Sequence, residues 1–269
     1  LAIAAQFTVC GLANAEVRGR AIVDLRFDDL PETGVVSTTA DVSTNGKLAD
    51  TISLTNDPAR IASPFVVASA GSSLLFDPVR KQQIVVAHSE DVSRPDAVSI
   101  SGFFANLHSA DANSYFGLFA KRHPTSNNTT NYGINFNPGT DTFQVYVNDG
   151  TGYKVVQYSV KQTIGYRRRV HLTISLNPAD APGTDEDTDI DDIRLRVFVN
   201  GQPATPTTVT GGFVDGNAGW LQDVSLAKCV SDTPLTIGSS FTDGELLRMV
   251  CDEFQVFSEA LTDEDAAAL

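Results

Sequence analysis

Four aspartates at alternate positions are the residues of this sequence with the most definite chemistry. They lie in the acidic segment 178–192 and are Asp185, Asp187, Asp189 and Asp191. Carboxylate oxygens are the ligands that Ca²⁺ prefers in proteins, so the spacing predicts a calcium-binding loop. The segment lacks a glycine and a glutamate at the turn and closing positions of an EF-hand. A solvated acidic loop is the alternative interpretation.

Asp252 is a further acidic residue, and it needs a compensating partner if its strand face is buried. From Met249 onward the residues alternate, which places Val250, Asp252, Phe254 and Val256 on one strand face that is otherwise apolar. Removing a carboxylate from water costs free energy unless a partner compensates for the lost hydration. A metal ion, an arginine or backbone N–H groups would each be such a partner, and the sequence leaves all three open.

The usual catalytic motifs are missing from the sequence. The four histidines are scattered and form no HExxH pair, and there is no G-x-S-x-G turn, P-loop or dinucleotide-binding glycine pattern. Glycoside hydrolysis usually needs two carboxylates at a fixed separation. None of the eight glutamates is followed two positions later by an aspartate, the spacing that would aim both acids into one cleft. No catalytic residue is therefore predicted.

Aromatic residues are the candidate ligand-binding side chains. A sugar site needs exposed rings beside hydrogen-bonding groups. Trp220 is the single tryptophan and lies in a glycine-rich segment, and it is a predicted ligand contact together with Tyr132 and Tyr146. A place in the core is an equally good interpretation for Trp220. The remaining tyrosines are further candidates: Tyr115, Tyr153, Tyr158 and Tyr166.

The charge balance excludes two classes of partner. The 269 residues include 19 Lys and Arg against 33 Asp and Glu, which gives a formal net charge of −14. Nucleic acids and anionic membrane surfaces are bound through basic faces. Neither is a predicted partner of this acidic chain.

The first fifteen residues have the pattern of a signal-peptide remnant. Residues 1–12 are mostly apolar, and Ala13-Asn14-Ala15 has the small-x-small form of a signal-peptidase site. Cleavage there predicts an exported protein that is secreted, periplasmic or on the cell surface, whereas an ordinary buried strand or helix is the alternative. No other stretch approaches the ~18 apolar residues of a membrane span, so no membrane insertion of the mature domain is predicted.

Two cysteines remain if residues 1–15 are removed. They are Cys229 and Cys251, and an oxidising compartment favours a disulfide between them. Two buried free thiols are the alternative, and the sequence does not decide between the two.

Short apolar runs separated by tight turns predict an all-β fold. Val170, Leu172, Ile174 and Leu176 alternate with polar residues, which is the pattern of a half-buried strand. No amphipathic helical period precedes the C-terminus, where Thr262 is a predicted helix N-cap followed by acidic residues. About a dozen short strands predict an antiparallel sandwich or barrel, with residues 16–269 as a single domain.

Three motifs follow one another towards the C-terminus: residues 195–202 (LRVFVNGQ), residues 235–238 (LTIG) and residues 243–269. In this order they resemble the Y-V-N-G hairpin, the l-x-I-G strand and the closing G-x-I-D-E signature with a terminal helix of the laminin-G-like, concanavalin A-like lectin-glucanase jelly rolls. The resemblance implies two packed antiparallel sheets. Jelly rolls of this kind often hold a structural Ca²⁺ near the first and last strands, which implies Asp28 as a companion ligand of Asp252.

The resemblance also implies a function. Members of the family are sugar-binding modules, protein-adhesion modules, or glycoside hydrolases and lyases. Since the catalytic motifs are missing, we expect an exported, non-catalytic module that binds carbohydrate or an extracellular protein, with Ca²⁺ as a structural ion. The alternatives are a carbohydrate-active enzyme with an unrecognised carboxylate pair, and an architectural domain of a larger surface protein.

Overall fold

Short strands make up most of the protein. The computed structural model describes residues 14–28, 38–40, 51–62, 71–90, 92–93, 96–109, 113–123, 130–150, 152–159, 169–182, 190–229, 231–242 and 244–269. The strands in these ranges are β1 (Val23–Leu25), β2 (Thr38–Ala40), β3 (Thr51–Thr55), β4 (Ala59–Ala62), β5 (Ser72–Phe76), β6 (Gln83–Val86), β7 (Val98–Asn106), β8 (Phe116–Arg122), β9 (Thr130–Asn137), β10 (Thr142–Asn148), β11 (Tyr153–Ser159), β12 (Arg169–Pro178), β13 (Ile193–Val199), β14 (Gln202–Pro203), β15 (Thr208–Thr210), β16 (Gly212–Asp215), β17 (Ala218–Leu221), β18 (Leu235–Ile237) and β19 (Met249–Phe257). Residues 14–18 form helix α1, and helix α2 is Asp263–Ala268. A single 3₁₀ turn is described at Pro78–Arg80.

The strands form two antiparallel sheets. The strand order of the first sheet is β16-β17-β13-β12-β7-β19-β5-β4, with β1 also beside β19 and β14 beside β13. The order of the second sheet is β15-β11-β10-β9-β8-β18-β6-β3-β2. The predicted all-β sandwich of two antiparallel sheets with a short C-terminal helix is therefore confirmed.

The two sheets enclose one main apolar core. Strand β12 of the first sheet contributes its four predicted inward residues, all of which are buried: Val170, Leu172, Ile174 and Leu176. The second sheet contributes alternate residues of β9 and β10, namely Tyr132, Ile134, Phe136, Phe143, Val145 and Val147. Complete burial of one large apolar side chain stabilises the fold by about 1.5–3 kcal/mol. This core is therefore the main source of stability for the sandwich.

The last strand contains a β-bulge. Against β7, Asp252 is opposite Phe103 and Gln255 is opposite Ser101, so that two residues of β19 stand against one of β7. Glu253, in the bulge, has a positive φ of 52°. Because side chains alternate with a period of two, one extra residue shifts every later side chain to the other face.

This bulge places Asp252 on the opposite face from the predicted one. Met249 and Cys251 belong to the core before the bulge, and Phe254 and Val256 belong to it afterwards. Asp252 therefore lies on the outer face of the first sheet, although only 2% of its surface is exposed. The prediction that it shares a face with Phe254 and Val256 is wrong, because simple alternation ignores the inserted residue.

The two helices pack together on the outer face of the first sheet. Thr262 caps α2 through a capping box with Asp265, which confirms the predicted N-cap. In α1, the Nδ2 atom of Asn14 donates to the carbonyl oxygens of Ala268 (3.0 Å) and Leu269 (3.2 Å). Of the predicted signal segment, residues 1–13 lie outside the described residues. No helix in the described ranges has the length and hydropathy to span a membrane.

His171 is a buried titratable group on the outer face of the first sheet. Its Nε2 atom is 2.8 Å from the Ser101 hydroxyl, and its ring centre is 4.6 Å from that of Phe103. Burial, together with the positive charge of Arg18, lowers the pKa of His171 to about 4. The imidazole is therefore neutral at physiological pH.

We expect His171 to make the free energy of unfolding fall on acidification. A folded-state pKa of about 4, against 6.5 ordinarily, means that the unfolded chain binds the proton more tightly. The contribution of His171 to the free energy of unfolding is complete above pH 6.5 and is lost as the pH falls towards 4. In His171→Asn, the free energy of unfolding should fall by roughly 1–3 kcal/mol less between neutral and acidic pH than in the wild type. Urea denaturation at both pH values measures this difference, with His123→Asn as the control. A variant that retains the full wild-type pH dependence would contradict this assignment.

Candidate binding cleft

An open cleft lies on the outer face of the second sheet. Its floor is formed by β9, β10 and β11, whose outward residues pair across the sheet as Gln144 with Asn135 and Tyr146 with Val155. The alternate residues of β10 point into the core. The cleft has a volume of about 200 Å³ and is lined by Arg122, Asn135, Gln144, Tyr146, Tyr153 and Val155.

Tyr146 and Asn135 form a fixed polar floor in this cleft. The Tyr146 ring lies over Gly133, where any Cβ atom would collide with it. The Tyr146 hydroxyl donates to Asn135 Oδ1 at 3.3 Å, and the Ser240 hydroxyl donates to the same oxygen at 2.7 Å. Because two donors already occupy that oxygen, the NH₂ group of Asn135 is the part of the amide left for a ligand. Burial raises the pKa of Tyr146, so its hydroxyl remains protonated at neutral pH.

Arg122 is the cation of the cleft. Its Nη1 atom is 3.2 Å from Oε2 of Glu245. Its guanidinium carbon lies 5.9 Å from the centre of the Tyr153 ring and 5.2 Å from that of Phe241. Burial opposes the charge of Arg122, but Tyr146, Glu245 and Tyr153 outweigh that effect and raise its pKa. The guanidinium is therefore charged and lies near two aromatic rings.

The segment after β18 brings Phe241 and Glu245 to the cleft. It approaches β8 so closely that a Cβ atom at Gly117 would collide with the backbone of this segment. The Gly117 N–H donates to the carbonyl oxygen of Glu245 at 2.7 Å, and the Gly244 N–H donates to that of Phe241 at 2.9 Å. These backbone contacts fix the position of the Glu245 main chain beside the cleft.

The cleft combines an aromatic ring, amide groups and a guanidinium. Aromatic faces contact the apolar faces of a ligand, and amide and guanidinium groups form hydrogen bonds with its polar groups. The six lining residues include no carboxylate, and the neighbouring Glu245 is paired with Arg122. The arrangement is therefore suited to binding through ring contacts and hydrogen bonds.

Only one of the three predicted ligand residues lines this cleft, and that residue is Tyr146. Tyr132 is 1% exposed and donates from its hydroxyl to the carbonyl oxygen of Val92 at 2.9 Å, so it is a core residue. Trp220 is 5% exposed and stacks on Phe213 with ring centres 6.4 Å apart. Neither ring is the exposed platform that was predicted, because each packs against its own sheet or the core.

Three polar residues of the cleft were not predicted from the sequence: Arg122, Asn135 and Gln144. The alternation in β9 and β10 does indicate that Asn135 and Gln144 point outward, since each lies between residues that point into the core. No comparable signal marked Arg122, because the pairing of β8 with β9 is irregular around it.

The two predicted metal ligands outside the acidic segment, Asp28 and Asp252, each have protein partners. Asp28 Oδ1 accepts from the backbone N–H of Ser72 at 3.1 Å. Asp252 accepts from the Ser73 hydroxyl at 2.8 Å and from the backbone N–H of Glu253 at 2.9 Å. Both aspartates therefore bind neighbouring residues of β5, and hydrogen bonds compensate for the burial of Asp252.

The predicted calcium loop is described only at its ends. Asp185, Asp187 and Asp189 lie outside the described residues. The carbonyl oxygen of Asp191 accepts from the N–H of Val224 at 2.6 Å. The described ranges contain no group of three or more His, Cys, Asp or Glu side chains placed to hold a metal ion. Calcium binding by the acidic segment stays a prediction.

The two cysteines are free thiols, so the predicted disulfide is not found. Cys251 points into the core from β19, opposite Phe104 of β7. Cys229 lies against the backbone of Asn148, at the end of a strand of the second sheet. Burial raises the pKa of Cys229 to about 12 and also raises that of Cys251. Of the two alternatives that the sequence left open, the buried free thiols are the one found, and sequence spacing could not decide because it carries no information about where each thiol is buried.

The fold is a β-sandwich of two antiparallel sheets, and the solved structures similar to it include toxin binding domains. The binding domain of Paraclostridial Mosquitocidal Protein 1 aligns with a TM-score of 0.59 at 11% identity, over 93% of this chain and 52% of that one. The binding domain of botulinum neurotoxin serotype C1 aligns with a TM-score of 0.58 at 12% identity, over 93% of this chain and 51% of that one.

These similarities concern the fold alone, because the identities are so low. The chain spans about half the length of the toxin binding domains that it matches. No protein-family model matches the sequence, and no curated protein matches it.

We expect calcium removal to destabilise the protein through the acidic segment. A bound ion stabilises the folded state by mass action, so the melting temperature should be several degrees higher in millimolar CaCl₂ than in EDTA. Replacing Asp187 and Asp189 together by Asn should reduce that difference, since two charged donors are lost. Equal melting temperatures of the wild type in the two solutions would contradict calcium binding.

We expect Cys229 and Cys251 to resist alkylation in the native protein. The thiolate is the reactive form, and burial both shields these thiols and raises their pKa. Peptide mapping after treatment with iodoacetamide should find both residues unmodified in buffer and both modified in urea, without any reductant. A non-reduced digest in which the two peptides are linked would show the assignment to be wrong.

Proposed function

We propose that the protein is a non-catalytic binding module that recognises carbohydrate through the cleft on the second sheet. The observation that carries this proposal is the convergence of Tyr153, Arg122 and the amides of Asn135 and Gln144 on one open concavity. The pattern of residues 1–15 supports the further proposal that the protein acts after export. It would then be secreted, periplasmic or on the cell surface.

The chemistry of the cleft matches that of a sugar ring. A sugar has an apolar face of C–H groups and a rim of hydroxyls. The ring of Tyr153 can contact the apolar face of the sugar. Hydrogen-bond donors for the hydroxyls come from the NH₂ groups of Asn135 and Gln144 and from the guanidinium of Arg122. The volume of about 200 Å³ is below the roughly 300–1,000 Å³ of drug-sized ligand sites. It suits one sugar unit of a larger glycan.

Similar structures also support a recognition function outside the cell. One neighbour is the binding domain of botulinum neurotoxin DC in complex with rat synaptotagmin II. For another, cell entry of botulinum neurotoxin type C depends upon interaction with two ganglioside molecules. An extracellular protein is therefore the second partner class that we propose. The resemblance of residues 195–269 to laminin-G-like jelly rolls supports the same two classes.

A glycan array tests the proposal. We expect the wild type to bind at least one glycan and Tyr153→Ala to lose roughly ten-fold or more in affinity, since a stacked aromatic ring contributes about 1 kcal/mol beyond its buried area. Tyr115→Ala removes a tyrosine outside the cleft and should bind as the wild type does. Circular dichroism spectra of both variants, compared with that of the wild type, serve as the control for folding.

Two results would contradict carbohydrate binding without catalysis, one from incubation with polysaccharides and one from the array. Release of reducing ends or unsaturated sugars from a polysaccharide panel would favour the enzyme alternative. An array without hits would favour an architectural domain or a protein partner.

A further inference from the structure

We infer that the cleft binds the end of a neutral, linear glycan whose chain leaves across β11 and β15. The inference rests on the proposed carbohydrate binding and concerns the shape and length of the ligand. It assigns contacts with the second and third sugar units to Gln157 and Thr208, which do not line the cleft itself.

A row of polar side chains continues from the cleft across the outer face of the second sheet. Its members pair directly across neighbouring strands and are Asn135 of β9, Gln144 of β10, Gln157 of β11 and Thr208 of β15. Residues that pair in this way point to the same face of a sheet. The residues that flank the first three along their strands belong to the core. The polar row therefore faces outward along its whole length.

The glutamine amides of the polar row are available to a ligand. Gln144 and Gln157 are half-buried, and Thr208 is exposed. Within the ranges that the structure describes, the side-chain amides of the two glutamines form no hydrogen bond. Each amide offers two donors and an acceptor, and a hydroxyl group can both donate and accept. The row can therefore form hydrogen bonds with successive sugar hydroxyls.

The segment after β18 closes the row at Asn135. Gly117 of β8 pairs with Asn135, so a side chain at Gly117 would point to the same outer face. A Cβ atom there would collide with the backbone of Ser239 and Ser240, which shows that this segment crosses the outer face of β8. The Ser240 hydroxyl also donates to Asn135 Oδ1 at 2.7 Å. A ligand chain therefore cannot continue past Asn135 in this direction.

The other end of the row is open. Among the described strands, β15 is the last one on that side of the second sheet. Neighbouring strands are about 4.8 Å apart, so the row extends roughly 10 Å from Asn135 to Gln157 and roughly 14 Å to Thr208. A pyranose ring is about as wide as one strand spacing. The cleft and the row together therefore suit about three sugar units, with the remaining chain leaving over β15.

The polar row carries no charge, although the whole chain has a net charge of −14. The field of an acidic protein disfavours the approach of anions. The amides and the hydroxyl of the row also offer no opposite charge that would compensate for a charged group on the ligand. A neutral glycan is therefore the class of chain that the row fits.

A size series of linear oligosaccharides tests this inference. The probes are malto-, cello- and manno-oligosaccharides of one to six units, titrated by calorimetry at neutral pH. In at least one series, we expect the three-unit member to bind at least ten-fold more tightly than the single sugar, since it adds hydrogen bonds to Gln157 and Thr208. Longer members should gain little more, because the sheet ends at β15.

Two variants of β11 make the result specific. Gln157→Ala should remove most of the gain with chain length and leave the affinity for the single sugar unchanged, because Gln157 lies outside the cleft. Ser159→Ala is the matched control, since Ser159 is two residues further along the same strand and pairs with Thr142, outside the polar row. It should bind every probe as the wild type does. Melting temperatures of both variants serve as the control for folding.

The stoichiometry of binding tests the closed end of the row. A linear chain of the same sugar, several times longer than the six-unit probe, should bind one protein molecule, because only one of its two ends fits the cleft. A site open at both ends would allow several protein molecules to bind along one chain. Several molecules per chain would therefore overturn the inference.

The remaining outcomes separate this inference from the proposed function. If the single sugar binds as tightly as the longer probes, or if Gln157→Ala and Ser159→Ala have the same effect, the inference is overturned while carbohydrate binding stands. The same holds if none of the three series binds but another glycan of the array does. If no glycan binds at all, both are overturned.

Discussion

The pairing of β19 with three other strands is the interaction on which the rest of the structure depends. It pairs with β7 on one side, and with β5 and then β1 on the other. The bulge at Glu253 lies where the neighbour changes from β5 to β1. After the bulge, Phe254 returns to the core and meets Phe119 of the second sheet edge to face at 5.6 Å. One strand thus joins both ends of the sequence to the centre of the sandwich.

Much of the fold could be predicted from the sequence, because most strands keep a regular alternation. The four inward residues of β12 and the N-cap at Thr262 were correct for that reason. Asp252 was misplaced because nothing in the sequence marks the bulge, whose residue with positive φ is Glu253 and not a glycine. Tyr132 was an avoidable error, since it shares the alternation of Ile134 and Phe136.

The cleft was harder to predict because its residues come from separate segments. Asn135 and Gln144 are ordinary outward residues of neighbouring strands. Arg122 and Glu245 are 123 positions apart in the sequence, and they meet only because β18 pairs with β8 and the following segment returns across that strand. Local patterns identify outward residues, but the strand order decides which of them become neighbours.

The contact between α1 and the end of the chain has a consequence for how the protein can be handled. Asn14 holds the carbonyl groups of Ala268 and Leu269, so the first and last described residues lie side by side on the outer face of the first sheet. Because these two residues are adjacent, a short linker between Asn14 and Leu269 would allow a circularly permuted variant of residues 14–269. Since the cleft is on the other sheet, a label or support coupled beside Asn14 or Leu269 would lie on the opposite side of the sandwich from the cleft.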